Sequence, residues 1–412
     1  MSRSSRAPLL VIFVTIFIDL LGFGIVLPLL PRYAADFKAS DSTLGLIMAS
    51  FSAMQFLFAP LWGRVSDRVG RRPVLVLGLA GSTFFYTLFG YATSLGADGQ
   101  LLGLSVLPWI FICRIGAGIA GATIPTAQAY IADITGPQER AKGMALIGAA
   151  FGIGFTFGPL LGAVFVPAGI TDTPSSAPGY VAGVLSGVAL LSALFLLPES
   201  LKADSRPETR HWLDITSLKQ AVARPAIGLV LLTMFLTTFA FAQFESTLSL
   251  LTKYLGLPDR DNYLVFAYIG FILTLSQGLL VRRIVPHVGE PVMSIAGTVL
   301  MTVGLLLIGM AGSANSRTML YCVLPLTVIG YSAVTPSLQS LLSRHATAAD
   351  QGGMLGLGQS MAALARILGP YLGFKLKAIE ITWPYWAAAA LMALSIFLTL
   401  GLRRPADREA GS

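Results

Sequence analysis

The stretch from Gly63 to Pro73, GRVSDRVGRRP, places four arginines and one aspartate in eleven residues. Only 12% of the 412-residue chain is charged and 55% is hydrophobic, so this crowding stands out. Soluble proteins average about 25% charged residues, and the mean hydropathy here is +0.74. A helix crossing the hydrocarbon core of a bilayer needs roughly 20 mostly apolar residues. Twelve such runs occur, at 9–31, 43–62, 74–95, 104–126, 143–166, 180–197, 226–251, 263–281, 291–312, 318–341, 353–374 and 381–402. The quoted stretch is therefore a short polar connection between the second and third spans of an integral membrane protein. The first run is too long for a signal-peptide core and lacks a small-residue cleavage site, so it counts as a span.

The distribution of charge orients the chain. An even number of spans leaves both termini on one side. Of the 28 lysines and arginines, nineteen fall on that side, seven on the other, and Arg114 and Arg366 lie inside spans. Positive loops stay in the cytoplasm, which puts both termini there and explains the net charge of +8 without nucleic acid. Cys113 and Cys322 both sit in apolar runs, against a disulfide framework or a zinc site. His211, His287 and His345 show no ligand spacing. No metal or cofactor is expected.

The longest internal polar segment, 198–225, separates six spans from six and predicts three parts: a bundle over 1–197, a cytoplasmic linker over 198–225, and a bundle over 226–412. Within the linker, Trp212, Ile215, Leu218 and Val222 recur at helical spacing, predicting an amphipathic helix on the membrane surface. A shift of 211 residues superposes Pro125 on Pro336, Gln128 on Gln339, Glu139 on Asp350, Gly158 on Gly369, Pro159 on Pro370 and Gly162 on Gly373. A shift of 219 puts Val69 and Gly70 on Val288 and Gly289. The halves read as a duplication, an arrangement in which secondary transporters place the substrate near the midplane.

GAGIAG, Gly116–Gly121, fits a dinucleotide-binding pattern, but it lies inside an apolar span, where small residues let helices approach closely. No GxxxxGK[ST] loop occurs, so uphill transport would draw on an ion gradient rather than ATP. Four ionisable residues lie well inside spans: Asp19 and Arg114 in the first half, Glu245 and Arg366 in the second. Each costs about 2.5–3.5 kcal/mol at a helix centre, so pairing or a wet cavity is expected. A carboxylate buried near a guanidinium can be tuned to exchange a proton in a transport cycle. Its alternative role is that of a permanent ion pair. Gln55, Gln128, Gln243, Gln277, Gln339 and Gln359 are also in or beside spans. Gln359 and Arg366, seven apart, share a helix face, whereas Gln243 and Glu245, two apart, do not. With Gln128, Gln243, Gln339 and Gln359, the pair Glu245 and Arg366 forms the candidate substrate or second proton site. Phe235, Phe239, Phe241 and Phe244 either line an apolar part of it or face lipid.

GRVSDRVGRRP resembles the loop signature of the major facilitator superfamily, G-x-x-x-D-R-x-G-R-[RK], with Gly63, Asp67, Arg68, Gly70, Arg71 and Arg72 matching. In the fifth span, GFTFGPLLGA is similar to the antiporter motif of the twelve-helix drug:proton antiporters, through Gly154, Gly158, Pro159 and Gly162. In the first span, DLLGFGIVLPLLP has Asp19, Pro28 and Pro31 spaced as in that branch. The first two hundred residues look especially like tetracycline-efflux transporters. The resemblance implies a proton-coupling role for Arg114 alongside Asp19. It departs at Phe85 and Leu273, where tetracycline exporters carry an acid and a histidine, and in the ninth span, which lacks their acid. Tetracycline is thus not the expected substrate; a lipophilic neutral or cationic compound is. The resemblance also implies a role for Asp67 as a latch facing the positive N-terminus of the eleventh span, near Gly352, when the carrier opens outward.

The expected protein is an all-α membrane protein with twelve transmembrane helices in two pseudo-symmetric six-helix bundles. It is expected to be no enzyme but a monomeric carrier in a bacterial inner membrane, exchanging a small organic compound for protons by alternating access. A metabolite importer and a non-transporting receptor or scaffold are the other readings.

Overall fold

The computed structural model describes residues 3–135, 137–169, 175–201, 225–344 and 351–401. The amphipathic helix expected around Trp212–Val222 lies outside them, as do His211, His345 and Asp350. Eleven described helices are long and apolar enough to cross a membrane. They are α1 (Pro8–Asp36), α2 (Asp41–Val69), α3 (Arg71–Ser94), α4 (Val106–Ile134), α5 (Leu146–Val164), α6 (Ala177–Leu196), α7 (Ala226–Tyr254), α8 (Asp259–Val288), α9 (Glu290–Ser313), α10 (Arg317–Arg344) and, numbered to leave room for the remaining span, α12 (Trp383–Gly401). The remaining expected span lies in α11 (Gln351–Lys377), which is long enough at 27 residues but less apolar. A two-stranded antiparallel hairpin, β1 (Gln100–Leu101) with β2 (Leu104–Ser105), joins α3 to α4.

Contacts divide the chain into two compact units, Met1–Thr209 with Gly256–Phe271, and Arg210–Leu255 with Ile272–Ser412. The N-terminal part of α8 thus joins the first unit, because it caps a break in α1. Proline lacks an N–H and clashes with the carbonyl four residues earlier, and α1 turns at Leu27–Leu29, around Pro28, before resuming at Leu30. Carbonyls released there cannot find water in hydrocarbon and need protein donors. The Tyr263 hydroxyl donates to Ile25 O at 2.7 Å, and Asn262 Nδ2 donates to Pro28 O at 2.8 Å. Arg32, buried just beyond the break, pairs with Asp259 at 2.7 Å and donates to Leu257 O at 3.0 Å.

The same logic governs α4, which is helical over Val106–Ala120 and again over Ile124–Ile134. At the gap, Trp62 Nε1 donates to Ile119 O at 2.8 Å and Gln55 Nε2 to Gly121 O at 3.3 Å, both from α2. Gln55 therefore serves the backbone. The glycines of GAGIAG serve packing: a Cβ on Gly116 would strike the Phe85 ring, and one on Gly118 would meet Phe51 O at 2.7 Å.

Helix neighbours repeat between the units. In the first, α1 packs on α5 and α6, and α3 on α4 and α6; in the second, α7 packs on α11 and α12, and α9 on α10 and α12. The glycines matched by the internal repeat make the equivalent contacts. A Cβ on Gly158 would meet Gly24 Cα of α1 at 2.9 Å, and one on Gly369 would meet Phe239 O of α7 at 2.8 Å. Without a hydrophobic drive between helices in lipid, such close approach is the main source of cohesion. Apolar cores flank these seams: Ile12, Ile16, Leu79 and Tyr130 in the first unit, Val230, Met234, Val334 and Leu338 in the second.

Gly158→Val should therefore push α5 off α1 and lower the thermal unfolding midpoint in detergent, at an overpacking cost of about 1–3 kcal/mol. Gly148→Ala on the same helix, where a Cβ meets nothing within 4 Å, should leave the midpoint unchanged or raised.

Candidate functional site

The charged loop is a built structure. Gly70 has φ +109°, and a Cβ there would collide with the Glu199 carboxylate, so the turn needs glycine. Glu199, which follows α6, accepts from the first two amides of α3: Arg71 N at 2.9 Å and Arg72 N at 3.1 Å. It thereby supplies the anion that a helix N-terminus favours. Arg71 is buried at 8% exposure. Its guanidinium pairs with Asp133 at 3.2 Å, donates to Ser66 Oγ at 2.8 Å, and is bridged to the Asp67 carboxylate. Ser200 Oγ donates to the same Asp133 oxygen at 3.0 Å. Arg72 donates to Leu194 O at 2.5 Å, and Arg68 is exposed. Nothing in the structure explains Gly63, whose side-chain space is open.

The second unit carries a charge-inverted counterpart. Gly289 has φ +78°. The residue after it, Glu290 at the start of α9, pairs with Arg344 at the end of α10 at 2.9 Å and accepts from Ser340 Oγ at 3.0 Å. The two repeat shifts superpose Arg71 on Glu290 and Asp133 on Arg344. The contact between helix start and helix end is kept while both charges exchange places. Matching residue types finds the glycines but misses this pair; matching pairs of opposite sign at both shifts would have found it.

Within the membrane, the acid and base of each half do not form the ion pairs that their placement suggested. Among the described residues, Asp19 accepts from Ser186 Oγ of α6 at 3.1 Å, with Ser82 of α3 also beside it. Arg114 is buried at 3% exposure, and its guanidinium lies over the Phe51 ring, 4.3 Å from the centroid. Its Nε and one terminal nitrogen have no hydrogen-bond partner among the described residues. Tyr86 stands within electrostatic reach of both groups. The bridge is absent because hydroxyls take the acid and an aromatic face takes the base, an arrangement that a cation–π contact supports.

In the second unit, Arg366 acts on Glu245 through space without bridging it. Arg366, Gln359 and Gln339 come together with Thr237, Thr238, Tyr331 and Thr335 around a cleft of about 80 Å³. Gln243 does not join them. It is buried, donates to Pro384 O at 2.7 Å and packs under Gly373, tying α7 to α11 and α12. Gln128 is exposed on α4 of the other unit. The phenylalanines of α7 turn inward: Phe239, Phe241 and Phe244 are buried, and Phe241 stacks on Tyr331 at 3.8 Å. In the first unit, the antiporter-motif residues Gly154, Gly158 and Pro159 line the α1–α5 seam, and Gly162 packs against Tyr263. Ser82, Ser186, Asp133, Glu199 and the cleft threonines are additions to the residues that sequence reasoning singled out, and ordinary hydroxyls in apolar runs carry no signal by themselves.

The family profile of the Major Facilitator Superfamily matches residues 12–370. The class C tetracycline resistance protein of Escherichia coli is 32% identical, covering 99% of this chain and 99% of its own length. Multidrug resistance protein 2 of Bacillus subtilis (strain 168) is 27% identical, covering 93% of this chain and 92% of its own. The crystal structure of the human organic anion transporter MFSD10 (TETRAN) superposes with a TM-score of 0.69 at 27% identity, over 97% of this chain and 100% of that one.

Proposed function

The chain belongs to the Major Facilitator Superfamily and is a multi-pass membrane transporter rather than an enzyme, and from that premise we propose that it exports a small lipophilic organic compound in exchange for protons, by alternating access. The observation that carries this reading is Asp19: a carboxyl group inside a spanning helix that accepts from a serine hydroxyl and that, among the described residues, forms no ion pair. Such a group is free to gain and lose a proton as its access to water changes, which a permanent ion pair would prevent. Proton exchange at Asp19 biases the carrier only if the group interacts differently in the inward and outward states. Arg114, with donors to spare, is the partner that one of those states would supply. Glu245 is a second proton candidate. Relatives named for tetracycline and multidrug resistance support export of organic compounds. Packing of Phe85 against Gly116, at a position where tetracycline exporters carry an acid, argues against tetracycline itself. The charge asymmetry of the loops supports cytoplasmic termini.

In inside-out vesicles with a respiration-driven pH gradient, a panel of lipophilic compounds is added in turn and proton release is recorded. At least one compound should release protons from wild-type vesicles, and Asp19→Asn should abolish that response at equal expression. An unaltered response in the mutant contradicts the assignment.

In this reading the loop is a state-dependent latch. Asp67 holds Arg71 in the present structure and turns to the N-terminus of α11 when the carrier opens outward. Losing that charge–dipole contact should slow transport by roughly 2–10-fold in Asp67→Asn, with expression intact. Full activity in the mutant would remove the latch.

A further inference from the structure

We propose that the cleft of the second unit is a head-group site for an organic anion, with Arg366 as the residue that holds its carboxylate. The proposal deepens the exporter reading by naming the class of compound, and it rests on that reading for its biological meaning.

The cleft is small, about 80 Å³, room for a head group rather than for a whole drug-sized ligand. Among the described residues, its lining offers the hydroxyls of Thr237, Thr238, Thr335 and Tyr331, the amides of Gln339 and Gln359, and Arg366, and holds no acidic side chain. A guanidinium presents a rigid fork of N–H donors that matches a carboxylate in two parallel hydrogen bonds. Arg366 makes no ion pair among the described residues, so that fork is available. Gln359, two turns before Arg366 on α11, presents an amide to the same space, and Gln339 of α10 presents another.

A second, independent observation points the same way. Thr237 is 1% exposed, and its hydroxyl oxygen has no hydrogen-bond partner among the described residues. A buried hydroxyl left unpaired is destabilising, and here it belongs to the cleft lining, where a ligand oxygen can satisfy it. The rest of the lining suits the first carbons behind that head group. Tyr331, stacked within 11° on Phe241, forms a flat wall, and Met234 and Leu338 adapt to an aromatic or alkyl group.

An amine would meet Arg366 as a like charge, and a neutral amide would forgo the ion pair. The expectation of a neutral or cationic compound rested on the two intramembrane acids and the many aromatics, but neither acid is among the described residues that line the cleft. Glu245 instead stands within electrostatic reach of Arg366, where it competes with an incoming anion for the same guanidinium.

Purified full-length protein in detergent is titrated with three compounds that differ only in head group: 4-phenylbutyrate, 4-phenylbutyramide and 4-phenylbutylamine. Wild type should bind the acid roughly 10–100-fold more tightly than the amide, as expected for charge-assisted hydrogen bonds, and the amine least. Arg366→Gln should reduce the acid to the level of the amide, and Arg366→Lys should retain part of the preference. Glu245→Gln, which removes the competing negative charge, should tighten the acid, a sign that a merely structural role would not produce. Equal binding of the three compounds, no binding of any, or wild-type affinity for the acid in Arg366→Gln overturns the proposal. If Arg366→Gln does not fold, the acid-to-amide ratio in wild type and in Glu245→Gln decides. Head-group selectivity without compound-driven proton release would sink the exchange reading alone; proton release without head-group selectivity would sink this inference alone.

Discussion

Every feature of this molecule answers to the cost of leaving a charge or a backbone carbonyl unsatisfied in hydrocarbon. The bilayer core offers no water, so each polar group must find a partner on the protein or line a wet space. The breaks in α1 and α4 show the first solution. Proline opens each helix, and side chains from a neighbouring helix take the freed carbonyls: Tyr263 and Asn262 for α1, Trp62 and Gln55 for α4. Asp19, Arg114 and Arg366 show the other case. Among the described residues none of the three forms an ion pair, and the proposed function uses that freedom for a change of state or a ligand.

The duplicated architecture carries this division of labour. Equivalent glycines close the α1–α5 and α7–α11 seams, so the two units are built on one packing plan. On that shared frame the polar chemistry has diverged. The first unit holds an acid among hydroxyls and a buried arginine over an aromatic ring. The second holds an arginine, amides and threonines around a cleft. Even the loop contact between the third and fourth helices survives with its charges reversed, Arg71–Asp133 in one unit and Glu290–Arg344 in the other. Such a reversal keeps the attraction between two helix ends while changing the field that each unit presents.

The fold was legible in the sequence because hydrophobic length and glycine spacing are local signals. Twelve apolar runs, the 211-residue repeat and the loop signature all follow from counting, and the helices lie where those runs predict. Intramembrane charges were equally visible, since any Asp or Arg in an apolar run is conspicuous. What they pair with was not. Nearness of Asp19 to Arg114 was a plausible guess from charge balance, yet Ser186, a residue type common in apolar spans, takes the carboxylate. Gln243 reads as a site residue in sequence, but its amide is committed to the first turn of α12. Glu199 lies outside any span and gave no sign that it would cap α3. These relations depend on which helix faces meet, and a single sequence does not state them.

The central claim is that Asp19 couples proton movement to substrate movement and does not merely hold the fold. Its most direct test uses protein reconstituted into liposomes, with a labelled compound that drives proton release in vesicles. Two fluxes are compared: exchange of labelled for unlabelled compound without a pH gradient, and accumulation driven by an imposed gradient. Asp19→Asn is predicted to keep the exchange and lose the gradient-driven accumulation, because binding and alternation persist while the proton-responsive group is gone. Accumulation in Asp19→Asn equal to wild type would contradict the account.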